Sequence, residues 1–264
     1  SNLLNYFGKS KKVDEVEMVP ILLQKGNSKV AIYGLGNIRD ERLHRTFKAN
    51  KVRWHRPAED RDDWYNIFVI HQNRYRRTLK QKNYIKESML PSFLDLVLWG
   101  HEHECLIKPV ASETNDFYII QPGSTVATSL SAGEAVLKST GILEIRGNKH
   151  RMTSFPLKSV RPFFMNDIRL GDHLNDYNPK MEDIENLLAN KVINIMEECK
   201  KLTKSSLLPL VRLRVDHTGF PRINTARFGQ RFVGQVANPE DLLLFQKEKK
   251  KRTSNKNNNN KLNQ

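Results

Sequence analysis

The sequence predicts an α/β protein: layered sheets covered on both faces and flanked by helices, followed by a smaller α+β domain. Two patterns carry this. Four short, continuously apolar, β-prone runs in the first 155 residues each stop abruptly at a polar loop, as sheets buried on both sides do. From about residue 156 the spacing changes, and residues 181–202 repeat apolar side chains at helical intervals. The expected division is 1–155 for the layered domain, 156–245 for the α+β domain, and 246–264 for a basic, Asn-rich tail.

In chain order, Val30 to Tyr33 reads as a buried strand closed by Gly34 and Gly36. Asp40 is placed to cap a short helix over residues 41–47. The Gly-Leu-Gly here lacks the third glycine and the spaced acidic residue of a dinucleotide site. Asn66 to Ile70 is the second apolar run and stops at His71-Gln72-Asn73-Arg74. The third, Phe93 to Trp99, stops at Gly100-His101-Glu102-His103-Glu104. The fourth, Phe117 to Ile120, stops at Gln121-Pro122-Gly123-Ser124. Residues 141–145 and 151–155 flank Arg146-Gly147-Asn148-Lys149 as a hairpin. In the second domain, residues 181–202 predict an amphipathic helix with acids early and lysines late, matched to the helix dipole. Leu210 to Val215 alternates apolar and basic residues, a strand with one wet face. Asn238-Pro239 predicts a last short helix running to Phe245. The tail beyond has too little apolar character to build a core and is expected to be disordered.

Charge narrows the partners. The formal net charge is +15, of which +6 falls in residues 246–264. Such a surplus points to a polyanion, nucleic acid before an acidic membrane, and no basic amphipathic helix with an aromatic face supports the membrane. No apolar run of about twenty residues is present. The first residues do not read as a secretory signal. The chain starts at Ser1 rather than Met, so a fragment of something longer is expected. Cys105 and Cys199 form no CxxC spacing and read as small buried residues of a reducing compartment.

Three of the eight histidines, His71, His101 and His103, stand immediately beyond apolar strands. Loops converge there above a rigid floor, and imidazole is the commonest neutral nitrogen ligand for transition metals. In an extended segment His101 and His103 share a side, with Glu102 on the other as a supporting acceptor. The remaining histidines lack this setting. Three histidines can bind one zinc alone. A two-metal phosphoesterase needs oxygen ligands as well, including a bridging carboxylate, and no DxH or GDxxD cluster is present.

Taken together, Asn66-Ile-Phe-Val-Ile-His-Gln-Asn-Arg74, Asp95-Leu-Val-Leu-Trp-Gly-His-Glu-His-Glu-Cys105 and Gln121-Pro-Gly-Ser-Thr-Val-Ala-Thr-Ser-Leu130 closely resemble the meiotic-recombination-eleven nuclease family of double-strand-break repair. Tyr33-Gly-Leu-Gly36 and Asp40-Glu-Arg-Leu43 add to this. So do Phe163-Phe-Met-Asn-Asp-Ile168, Leu210-Val-Arg-Leu-Arg-Val-Asp216 and Val236-Ala-Asn-Pro239 in the second domain, and the resemblance runs from about residue 4 to 245. It implies a calcineurin-like layered β-sandwich flanked by helices, present here in part, with a small α+β capping domain that guides DNA. It implies two Mn ions, with His71 and His101 on one and His103 on the other, and exonucleolytic or endonucleolytic phosphodiester hydrolysis in the intact parent. The family's Asp-His, Gly-Asp and Gly-Asn-His-Asp motifs have no counterpart here. No catalytic residue is therefore carried over, and the chain alone is expected to be inactive. A partner ATPase, a homodimer mate and a nuclear location are further implications. From the residues themselves, Arg74 beside the metal loops is a phosphate candidate. So are Arg227 and Arg231, which like Phe228 and Phe232 lie four apart, each pair on a helix face of its own if that stretch is helical. The alternatives are a solvated basic face with the Phe residues packed inward, and a non-catalytic DNA-binding or scaffolding module.

Overall fold

A computed structural model describes residues 6–9, 15–74, 83–174, 179–203 and 205–247. The elements in order are β1 (Val16–Met18), β2 (Ile21–Lys25), β3 (Ser28–Gly34), α1 (Asp40–Lys48), β4 (Val52–Trp54), β5 (Trp64–His71), β6 (Leu96–Gly100), β7 (Leu106–Ala111), β8 (Tyr118–Gln121), β9 (Ser139–Arg146), β10 (Lys149–Pro156), β11 (Phe163–Arg169), α2 (Met181–Leu202), β12 (Leu210–Asp216), α3 (Thr225–Gln230) and β13 (Leu243–Gln246). The class is α/β, with several sheets and few helices. The chain divides into two compact units, Ser1–Phe163 with Thr203–Leu207, and Phe164–Leu202 with Leu208–Gln264.

The first unit is organised by a six-stranded sheet in the order β2-β3-β5-β6-β8-β7. Its four central strands are parallel and both edge strands antiparallel. Alternation along the strands feeds two cores. Phe68, Ile70, Val97, Trp99 and Ile119 pack with Leu43 and Phe47 of α1 and Val16 and Met18 of β1. On the opposite face Tyr65, Ile67, Leu96 and Ile120 pack against Leu143, Ile145 and Met152 of the β9–β10 hairpin. A sheet covered on both sides has no wet face, which is why its strands read as unbroken apolar runs. The hairpin lies where the turn chemistry placed it, with Arg146 paired to Lys149.

The second unit lays α2 over the sheet β11-β12-β13. Ile184, Leu188, Val192, Ile195 and Met196 form the buried stripe of α2 against Val211, Leu213 and Val215 of β12, each contributing roughly 1.5–3 kcal/mol by burial. Arg212 and Arg214 alternate onto the other face of β12.

Two local expectations are corrected. Asp40 is the first residue of α1 and not its cap. The cap position is Arg39, which makes no side-chain cap bond, and the Asp40 carboxylate accepts from Asn73 Nδ2 at 3.3 Å instead. Asn238-Pro239 opens only a 3-10 turn, Pro239–Asp241, and the chain then becomes β13, parallel to β12. Leu242 and Leu243 are drawn into the core, and sheet pairing overrides a run too short to propagate as a helix. The last strand thus reaches Gln246, while residues 248–264 of the expected tail lie outside the described residues.

Asn238 has a different task from the predicted cap. Its Oδ1 accepts from Val211 N and its Nδ2 donates to Val211 O, both at 2.9 Å, which completes the start of β12 as a neighbouring strand would. Val211 is fully buried, so Asn238→Ala leaves both groups unsatisfied. We expect a loss of about 2 kcal/mol, read as a lower urea midpoint of the helical circular-dichroism signal.

Candidate functional site

The site grows out of the carboxyl ends of β5 and β6. Strand register sets His71 opposite Gly100, so the chain leaving β6 carries His101 past the end of β5. His71 Nε2 and His101 Nδ1 lie 3.3 Å apart, with ring centroids at 5.1 Å. Gly100 is needed for this approach, because a Cβ there would sit 2.9 Å from His71 Nδ1. His101 has φ of 79°, a left-handed conformation costly for a non-glycine residue and typical of functional sites.

Only His71 of the His-Gln-Asn-Arg run is exposed. Gln72 and Asn73 are buried. Trp99 Nε1 donates to Gln72 O at 2.8 Å, and Asn73 Nδ2 donates to Asn83 O at 2.9 Å. Arg74 is drawn inward as well. Its guanidinium pairs with Glu87 at 3.0 Å, donates to Gln121 Oε1 at 3.1 Å and lies over the Trp99 ring. The structure therefore gives the Arg74 guanidinium an internal bracing role. Glu102 is an acceptor, but from the backbone N–H of Arg74 at 2.8 Å.

His103 turns to a different set of partners, with Nδ1 2.6 Å from Thr128 Oγ1 and 3.4 Å from Glu134 Oε1. The sequence reading missed Glu134, which is 3% exposed. Its carboxylate accepts from the backbone N–H of Thr128 at 2.7 Å and of Ser129 at 3.0 Å, and from both their hydroxyls. Burial works to raise its pKa, but the bonds from Thr128, Ser129 and His103 outweigh that and hold it down to about 2. Lys138, equally buried, lies 3.6 Å from Glu134 Oε2, and its Nζ donates to His103 O at 2.8 Å and to Ser124 Oγ at 3.1 Å. The only signal in the sequence was a hydroxyl-rich loop, residues 124–131, followed closely by an acid.

Whether these residues suit a transition-metal ion follows from the geometry. With metal–nitrogen bonds of about 2.1 Å, nitrogens 3.3 Å apart can take one cation side by side, so His71 and His101 fit. Among the described residues no group of three or more His, Cys, Asp or Glu side chains is gathered to hold an ion.

In the second unit, Asn224 caps α3 by accepting from Arg227 N at 3.0 Å. Phe228 and Phe232 turn into the core, which leaves Arg227 and Arg231 exposed. Both line a groove of about 590 Å³ with Met181, Glu182, Glu185 and Asn186 from the start of α2. Inward phenylalanines and outward arginines thus coexist along α3 and the turn that follows it.

Comparison with known proteins adds to this geometry. Residues 150–264 match the family model described as the Mre11 DNA-binding presumed domain. Human double-strand break repair protein MRE11 is 46% identical over 254 residues, covering 93% of this chain. The chain belongs to the Mre11 family. The Mre11 protein of Arabidopsis thaliana is 48% identical over 260 residues, and the Neurospora crassa double-strand break repair protein mus-23 is 44% identical over 269, again covering 93% of the chain in both cases. The chain spans 36% of the length of each of these Mre11 relatives. Among the described residues no helix is long and apolar enough to cross a membrane.

Proposed function

We propose that this chain supplies the histidine side of the metal site and the DNA-facing domain of a manganese-dependent nuclease of double-strand break repair. The His71–His101 pair, set by strand register at 3.3 Å in a chain 46% identical to a named double-strand break repair protein, carries the reading. His71 and His101 would hold one cation and His103 would contribute to a second. Bound Mn ions would supply Lewis-acid neutralisation of charge on the phosphodiester. Arg227 and Arg231 would grip backbone phosphates, which position DNA without reading its sequence. The same family reading adds a nuclear location, a partner ATPase and a second copy of the protein. A second reading, a DNA-binding module without catalysis, is favoured by the missing third ligand for the histidine pair among the described residues.

Two titrations test this. Calorimetry with Mn should find a weak site that is lost in His71→Ala and in His101→Ala; no Mn binding by the unaltered chain leaves the module reading. Fluorescence anisotropy with a labelled duplex, on the chain truncated after Lys247, should show weak, sequence-independent binding. The double change Arg227→Ala/Arg231→Ala should lower affinity about tenfold or more and reduce the salt slope by about 2. Equal binding with and without the two arginines refutes this DNA surface.

A further inference from the structure

The knot behind His103 orders its protons. Glu134 receives two backbone N–H bonds, one on each oxygen, so its carboxylate is held as an acceptor. Thr128 has a single hydroxyl proton, and it goes to Glu134 Oε1 at 2.8 Å. Towards His103, Thr128 Oγ1 then has only lone pairs to offer. The 2.6 Å contact therefore requires the proton to sit on His103 Nδ1. Nε2 of the neutral ring is left unprotonated, and among the described residues no protein group partners it. The backbone is held from the same cluster: His103 O accepts from Lys138 Nζ at 2.8 Å and from Ser124 N at 3.2 Å.

We propose that Glu134, acting through Thr128 and with Lys138 bracing the main chain, is a positioning residue that fixes His103 as its Nδ1-protonated tautomer and leaves Nε2 free to bind a cation. A carboxylate behind a ligating histidine sets both its orientation and its basicity. Here the carboxylate acts through a hydroxyl relay. The identity of the ligand rests on the function proposed above; the tautomer does not.

The test is nitrogen-detected imidazole NMR on the histidine-labelled, metal-free chain, with His103→Gln identifying the signal. His103 should show a protonated Nδ1 and an unprotonated Nε2. In Thr128→Val the remaining 3.4 Å contact to Glu134 is too long to hold that form alone, and the Nε2-protonated tautomer should appear. Thr128→Ser should restore the original form. Mn affinity measured by calorimetry should fall about tenfold in the valine variant and recover with serine. Melting curves confirm that each variant is folded. An Nε2-protonated His103 in the unaltered chain, or a tautomer indifferent to Thr128→Val, overturns the proposal. A chain with the expected tautomer that binds no Mn supports the positioning role and overturns the metal reading.

Discussion

Replacing Glu134 with alanine is expected to destabilise the first unit by about 3–5 kcal/mol. The change leaves Lys138 buried without its carboxylate partner, and it removes the acceptor of the Thr128 and Ser129 N–H groups. Removing one partner of a buried pair costs more than the pair contributes, because the survivor keeps its desolvation penalty. The unaltered chain carries a matching acid sensitivity. Glu134 has its folded pKa lowered from 4.5 to about 2, so its contribution is complete above pH 4.5 and disappears as pH falls through about 2. At about 1.36 kcal/mol per pKa unit this amounts to about 3 kcal/mol. Trp54, Trp64 and Trp99, the chain's three tryptophans, all lie in the first unit, so their fluorescence isolates the effect. A urea midpoint at pH 7 unchanged in Glu134→Ala would show that the knot carries no such weight.

Gly229→Ala is expected to loosen the second unit severely, at a cost of about 3 kcal/mol. A Cβ on Gly229 would lie 2.1 Å from Pro239 O and 2.9 Å from Pro239 C. Both are backbone atoms in a turn that has little room to yield. It is pinned on one side by the Asn238 bonds to Val211 and on the other by buried Leu242 and Leu243. Gly147→Ala is the control: its Cβ would meet nothing within 4 Å, and only its φ of 57° is strained, costing about 1 kcal/mol. The helical circular-dichroism signal reports on this unit through the 22-residue α2. Arg227 and Arg231 flank Gly229 on the same segment, so duplex binding should fall with the helical signal. A well-folded Gly229→Ala chain would mean that α3 and the Pro239 turn can separate cheaply.

How far the sequence reached depended on whether a pattern was local. α2 was legible to its ends, because its apolar period and matched terminal charges lie within one segment. The β9–β10 hairpin was legible through its turn residues. Strands β1, β2, β4, β7 and β11 were not, since they lie at sheet edges or in a two-stranded pair and carry mixed side chains. β13 was misread as helix because its identity comes from the β12 partner.

The site divides in the same way. Sequence alone determined that histidines stand at the ends of two apolar strands, because a buried parallel strand must stop where its apolar run stops. It also determined a surplus of positive charge. Tertiary structure alone decided that His71 meets His101, since register between β5 and β6 is a relation between segments 30 residues apart. It also decided that Arg74 braces the interior and that Glu134, 31 residues from His103, aligns its ring. A charged side chain has no local signature of being buried; whether it faces water or a partner depends on which distant groups the folded chain brings within hydrogen-bonding distance.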